Sequence, residues 1–287
     1  MPHHTGIEED TLSSRDFARI GELIYAQAGI SLGMEKKVMV EVRLKRRLRA
    51  LNLNSYREYC DFVFSHGGIK DELVSLINVI TTNKTDFFRE PAHFDYLAQN
   101  GLSEMGGKLD GARPLLAWSA GCSSGEEPYT LAMVLSEYAG THPGFRFRIL
   151  ATDISTAMIE KGRNGVYTEE CAQPIPLLLR RKYLLRSRDG EAHRVRVAPE
   201  LRHAVEFRRL NLMDANYAMA EKPDFIFCRN VLIYFNRVTQ ESILSKLIAQ
   251  LVPGGFLFVG HSETLHDMNL PIVPLAPALY RKAEAHA

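Results

Sequence analysis

Hydrophobic positions follow two rhythms along this 287-residue chain. In the first part, apolar residues recur every three or four positions, the spacing of amphipathic helices. Phe17, Ile20, Leu23 and Ile24 share one face of a helix that opens near Ser14, with Gly29 as its stop. Val40, Leu44, Leu48 and Leu51 line a second helix, and residues 55–64 and 70–80 give a third and fourth. No strand signal appears before residue 110, so the expectation is a small all-helical unit after a polar, frayed start at 1–11. Residues 81–91, TTNKTDFFREP, are polar, then aromatic, and end on a proline that disfavours helix before it; they read as a joint. Residues 93–100 look helical, and 101–114 form a Gly-rich connection.

From residue 115 the rhythm changes to short apolar runs between helical patterns. Residues 115–118 and 225–229 suit buried strands of a parallel sheet, and 145–152, ending at Asp153, and 256–260 read as further strands. Helices are expected at 129–138 (with Pro128 in the first turn), 155–161, 177–183 and 239–251. Residues 194–197 and 205–208 alternate like short strands around Asp189-Gly190, a hairpin signal. Strands alternating with helices imply a doubly wound α/β sheet. Gly121 and Gly125 then form the turn after the first strand, where such sheets bind ligands.

That turn carries neither GxGxxG nor GxxxxGK[ST], which lowers the odds of a dinucleotide or a nucleoside triphosphate. Glu126 and Glu127 lower them further, because carboxylates there would repel a pyrophosphate; they suit a cationic or hydroxyl-rich ligand. Asp153, at a strand end, is either an acceptor for ribose hydroxyls or a helix cap. Asn211 and Asp214 could flank an adenine, and Asn230 and Tyr234 share the rim beyond the strand at 225–229. Arg89 sits in the joint. The ten histidines show no HExxH or regular spacing, so no metal is assigned, and the absence of GxSxG leaves a serine nucleophile unsupported. A net charge of +1 gives no global pull toward nucleic acid. Four scattered cysteines, no membrane-length apolar run and no signal-peptide pattern give the expectation of a soluble, cytoplasmic protein with reduced thiols.

Six segments occur together in order: TTNKTDFFRE at 81–90, SSGEEPY in the first strand–helix turn, ATDIS at 151–155, NL at 211–212, IFCRNVLIYF at 226–235 and PGGFLFVGHSE at 253–263. In these the chain resembles the chemotaxis receptor glutamate O-methyltransferases, the CheR family. The resemblance implies a Rossmann-like S-adenosylmethionine-dependent sheet with a small antiparallel β-subdomain, preceded by an all-helical N-terminal domain. The domains would span residues 1–82, a linker at 83–91 that contributes to the active site, and 92–287, with the subdomain at about 184–208. By motif position, Asn83, Thr85, Arg89, Glu127, Asp153, Asn211, Leu212, Arg229 and Asn230 would line the cofactor site, and Arg89 and Tyr234 would stand beside the reacting carboxylate.

The partner implied is the cytoplasmic domain of a chemoreceptor, with no nucleic acid, no membrane insertion and a monomeric enzyme. The receptor would meet the basic helix at 36–49, which holds seven basic residues and one acid, and the β-subdomain. Arg43, Arg46 and Arg47 fall off its apolar stripe and are expected to be free for a partner. The loop SRDGEAH at 187–193 matches no pattern tied to capture of a receptor's C-terminal peptide. Competing readings are a dehydrogenase, weakened by the absent GxGxxG, a nucleic-acid methyltransferase, which the basic helix favours and the net charge does not, and a non-catalytic cofactor-binding module.

Overall fold

Ser13 opens α1 (Ser14–Ala28) by accepting the Asp16 N–H at 3.0 Å, and Gly29 closes it in the left-handed conformation. The left-handed φ of 70° favours glycine at Gly29, and a side chain there would displace the Met213 side chain of the following unit. These coordinates are a computed structural model, which describes residues 10–65, 67–81, 83–106, 113–186 and 193–284. After α1 come α2 (Lys37–Leu51), α3 (Tyr56–Val63) and α4 (Gly68–Ile80). Their apolar stripes meet in one core: Ile20 and Ile24 from α1, Val40 and Leu44 from α2, Tyr59 from α3, Leu76 from α4.

The polar faces of α2 do not behave as the sequence suggests. Arg47 lies against Glu72 on α4 in a two-pronged contact, Nε–Oε1 2.6 Å and Nη2–Oε2 2.7 Å, with Glu72 only 2% exposed. Arg43 donates to the carbonyl oxygens of Ile80 at 2.5 Å and Thr81 at 3.1 Å, tying off the end of α4. The expectation that Arg43 and Arg47 are free for a partner is therefore corrected. A position off the apolar stripe can still face a third helix rather than solvent. Arg46 and Arg49 are exposed, beside Val38 and Val42 on the same outer face.

The second unit begins with α5 (Ala92–Tyr96), a π-helical turn (Leu97–Gly101) and α6 (Leu102–Gly106). It continues through β1 (Leu115–Ala120), α7 (Glu126–Thr141), β2 (Phe147–Asp153), α8 (Thr156–Asn164), β3 (Val166–Thr168), α9 (Leu177–Tyr183), β4 (Leu184–Arg186), β5 (Arg194–Val197), α10 (Pro199–His203) and β6 (Val205–Arg209). Then follow β7 (Phe225–Cys228), a 3₁₀ turn (Leu232–Tyr234), α11 (Arg237–Gln250), β8 (Phe256–Val259), β9 (Ile272–Ala276) and β10 (Leu279–Lys282). The main sheet has the order β6-β2-β1-β7-β8-β10-β9, parallel from β6 through β8 and antiparallel at β10 and β9. Period-two alternation sends Phe225 and Phe227 of β7, with Phe256 and Phe258 of β8, into the core on one face. Ile226, Cys228, Leu257 and Val259 enter the core on the other. Phe227 stacks on Phe258 with centroids 4.1 Å apart. From β1 the chain goes to β2 on one side, while β7 joins on the other, so the switch point lies between β1 and β7.

A small antiparallel sheet, β3-β5-β4, hangs beside it. Here the hairpin expectation needs correction. β5 pairs with β4, not with residues 205–208, which form β6 at the parallel edge of the main sheet beside β2. Phe207 draws β6 there by packing into the hollow over Gly162 and against Tyr129. An edge strand and a hairpin strand share the same alternation, so the pattern alone could not separate them. Asp189-Gly190 lies outside the described residues. The strands β3, β9 and β10 have no counterpart in the sequence reading, and α6 occupies part of the expected 101–114 connection.

Candidate active site

The switch point opens into a cleft with about 1180 Å³ of empty space, counted out to open solvent. Its floor is the turn after β1. Gly121 holds φ 83°, and an added Cβ would lie 2.4 Å from Val231 on the facing turn, so only glycine lets the two walls approach. Every residue expected in the cofactor site lines this cleft: Asn83, Thr85 and Arg89 from the 83–91 segment, Glu127 from α7, Asp153 from β2, Asn211 and Leu212 beyond β6, and Arg229 and Asn230 beyond β7. Tyr234 lines it from the 3₁₀ turn. Asp214 is not among the lining residues; its N–H closes a turn on Asn211.

The geometry removes one of the two readings of Asp153, the helix cap. Ser155, not Asp153, caps α8, accepting the Met158 N–H at 3.3 Å. Asp153 Oδ2 accepts the Ser123 N–H at 2.8 Å and Oδ1 accepts the Ser155 N–H at 2.9 Å, which pins the β1 turn to the end of β2. Burial pushes this carboxyl up, and the backbone N–H groups pull it back. A carboxylate has about four acceptor sites, so two such bonds leave capacity for a ligand's hydroxyl groups.

The two glutamates of the turn part company. Glu126 turns from the cleft, accepting the Ser124 hydroxyl at 2.8 Å and facing Cys171. Glu127 lines the cleft, accepting Ser119 Oγ at 2.6 Å and Arg229 Nη1 at 3.1 Å. Burial pushes the Glu127 carboxyl up, against the pull of Arg229. Arg229 also reaches Glu90 Oε2 at 3.0 Å and the Arg89 carbonyl, and sits over the Phe94 ring. Burial opposes ionisation of Glu90, yet Arg229 and the His261 N–H prevail and hold its carboxyl below the usual range.

The 83–91 segment, held by Arg229, gains two more bonds from outside it and one within itself. The Asn83 carbonyl accepts the Ser123 hydroxyl at 2.9 Å, the Phe88 N–H donates to Thr130 at 3.1 Å, and Arg89 itself donates to the Lys84 carbonyl at 3.1 Å. Asn211 spends its amide on the Gln27 carbonyl at the end of α1, 2.7 Å away, so the helical unit closes one rim. The Ser31 N–H to the Tyr234 carbonyl, 2.9 Å, closes it again.

Sequence reasoning did not assign Glu90, Glu263 or Lys36 a place here. Glu90 ends TTNKTDFFRE and Glu263 ends PGGFLFVGHSE, but nothing in their spacing distinguishes them. Lys36 was counted on the basic outer helix; instead its ammonium bonds the Ser31 carbonyl and lies 6.0 Å from the Tyr234 ring, inside the cleft wall. Glu90, His93 and His261 also bring one donor atom each within 4.8 Å, a grouping that no regular histidine spacing announced.

The description "CheR methyltransferase, SAM binding domain" matches residues 83–274, and "CheR methyltransferase, all-alpha domain" matches 15–81. The chain belongs to the CheR methyltransferase family. It is 42% identical to a chemotaxis protein methyltransferase of Escherichia coli over 91% of this chain and 88% of that one. It is 41% identical to chemotaxis protein methyltransferase 2 of Pseudomonas aeruginosa, covering 92% of each. A Borreliella burgdorferi chemotaxis protein methyltransferase is 37% identical over 94% of this chain and 95% of its own. The α/β part is thus the S-adenosylmethionine-binding part of a CheR enzyme, and the cleft suits that ligand. It is lined by the carboxylates of Asp153 and Glu127 and the guanidiniums of Arg89 and Arg229. Among the described residues no helix is long and apolar enough to cross a membrane.

Proposed function

We propose that this CheR enzyme transfers a methyl group from S-adenosylmethionine to glutamate γ-carboxylates of chemoreceptors, forming methyl esters. One observation carries the site assignment: ten residues drawn from five motifs, far apart in sequence, line a single cleft at the switch point. The cofactor supplies an electrophilic methyl on a sulfonium. A free glutamate has a pKa near 4.3, so the nucleophile is already ionised at pH 7 and no side chain need remove a proton. Negative and positive charge disappear together as the ester forms, so a tight clamp on the substrate carboxylate would favour the ground state over the transition state. The work of the chain is then positioning and exclusion of water. Asp153 accepts from the ribose hydroxyls, Asn211 and Leu212 border the adenine, and Asn83, Thr85, Glu127, Arg229 and Asn230 complete the cofactor site. Arg89 and Tyr234 orient the incoming carboxylate.

In this reading residues 83–91 are the active-site linker between the helical unit and the methyltransferase unit. The receptor docks on the outer face of α2, where Arg46 and Arg49 are exposed beside Val38 and Val42, and on the small antiparallel sheet. Incubation with methyl-labelled cofactor and a chemoreceptor cytoplasmic fragment tests the function. Label released as methanol in base is the expected result, since methyl esters hydrolyse there. Base-stable label would point to a methylated amine or nucleobase and defeat the proposal.

A further inference from the structure

The wall of the cleft that carries Asn230, Val231 and Tyr234 has no regular structure beyond one 3₁₀ turn, yet it must present Tyr234 in one place. One buried carboxylate gathers it. Glu263, 6% exposed, accepts four backbone N–H groups: Gly260 at 2.6 Å and Asn230 at 2.9 Å on Oε2, Leu232 at 2.7 Å and Ile233 at 3.3 Å on Oε1. Asn230 is left-handed (φ 58°) and Val231 right-handed (φ −114°), an alternation that turns successive N–H groups inward onto an anion. No Lys or Arg pairs with Glu263 among the described residues, so the backbone alone satisfies its charge. Gly260 admits it: a Cβ there would stand 2.9 Å from Glu263 Oε2 and 2.9 Å from the Asn230 nitrogen.

We propose that Glu263 is a positioning residue for methyl transfer, acting without reaching the reactants by folding the 230–233 backbone around its carboxylate and so fixing Tyr234. This rests on the methyl-transfer reading above. Glutamine keeps the volume of the side chain but turns one acceptor oxygen into an N–H₂ facing backbone donors, so the pair of bonds on that side is lost. Misplacement of an orienting group by about 1 Å costs on the order of 100-fold in rate.

The test is a double-mutant cycle on purified full-length protein, with the receptor fragment as substrate, saturating cofactor, and a temperature at which circular dichroism shows each variant folded. Glu263→Gln is expected to lower kcat by roughly 10- to 100-fold while KM for the fragment stays within about twofold. In a Tyr234→Phe background the same substitution should cost less than about threefold further, because both act on one placement. Full additivity, or a folded Glu263→Gln enzyme with wild-type kcat, overturns the inference. If Glu263→Gln does not fold, Glu263→Asp and Gly260→Ala, which draw back or crowd the carboxylate, carry the same cycle and the same criteria. An inactive wild type would instead strike the methyl-transfer reading, leaving the two failures distinct.

Discussion

Two arginine–glutamate assemblies, each built on one buried partner, Glu72 or Arg229, serve different ends in this molecule. In the helical unit Arg47 and Glu72 meet fork to fork, and the Tyr59 hydroxyl completes the set at 3.0 Å from Glu72. All three belong to helices α2, α3 and α4, and none lines the cleft. In the α/β unit one guanidinium, that of Arg229, is divided among Glu90, Glu127 and the Arg89 carbonyl, partners from two segments distant in sequence from each other and from Arg229. The first is a closed staple, in which a planar fork matches a single carboxylate. The second is a junction, coupling the 83–91 segment, α7 and the end of β7 at the wall of a cavity. Equal chemistry gives structure in one place and a site in the other: one carboxylate takes the whole fork in the first, whereas two carboxylates divide it in the second, at the wall of the cleft.

Arg229→Ala should have the largest consequence. It leaves Glu90 and Glu127 facing each other without their counter-charge and frees the 83–91 segment. Removing one partner of a buried pair typically costs about 3 to 5 kcal/mol, and the site it organises should lose at least about 100-fold in kcat/KM. Calorimetry with S-adenosylhomocysteine should show weakened binding. Activity within tenfold of wild type would mean the junction is only structural. Arg47→Ala should cost a similar 3 to 5 kcal/mol, read as a fall in melting temperature, while S-adenosylhomocysteine affinity in the folded protein changes less than about twofold. Weakened binding with unaltered melting would erase the distinction between the two assemblies.

The same contrast shows where the sequence was legible. Strands β1, β7 and β8 are legible because a strand buried on both faces is nearly all apolar, β2 through its buried Ile149, Leu150 and Ala151, and the helical stripes by period. The ten cleft residues were found through motifs, since a site assembled from strand ends has no period of its own. The side chains of α2 were misjudged because sequence reports which residues lie off a stripe, not whether a third helix covers them. Arg47 and Arg43 are covered by α4 and by the chain at its end. Glu263 was unreadable as an anchor because its partners are backbone N–H groups, which every sequence possesses. The β5 partner was misassigned because the alternation of 205–209 fits a hairpin and a sheet edge equally.

A smaller effect separates the assemblies by pH. The cleft assembly includes His93, 3% exposed, with Nδ1 3.6 Å from Glu90 Oε2. Burial, with Arg229 adding to it, pushes its pKa down from 6.5 to about 4. The native state therefore holds a neutral imidazole that the unfolded chain protonates more readily. Its contribution to stability is complete above pH 6.5 and is lost as pH falls toward about 4, by up to about 3 kcal/mol. Glu127, Asp153 and Glu263, whose carboxyls burial pushes up, work in the opposite sense. The difference between wild type and His93→Phe, not either profile alone, isolates the imidazole. Denaturant midpoints from pH 7.5 to 4.5 should show the variant gaining on wild type as acid is added; parallel profiles would place a charged or solvated imidazole at position 93.

The smallest effect concerns the face of α2 that no other helix covers. Reversing Arg43, Arg46 and Arg47 together would be uninformative, since Arg47→Glu sets a second carboxylate against the buried Glu72 and strains the helical unit itself. Arg46 and Arg49 are exposed, and surface changes of that kind usually move stability by less than about 0.5 kcal/mol. Arg46→Glu/Arg49→Glu should accordingly melt within a degree or two of wild type and bind S-adenosylhomocysteine unchanged. If these residues steer an acidic receptor segment, kcat/KM for the receptor fragment should fall roughly fivefold at low salt, through KM rather than kcat, because rim charges act mainly on encounter. The deficit should shrink as salt rises, since the screening length drops from about 10 Å at 0.1 M to about 3 Å at 1 M. A wild-type KM at low salt would make Arg46 and Arg49 ordinary solvated charges, and the small β3-β5-β4 sheet would then be the docking surface to dissect.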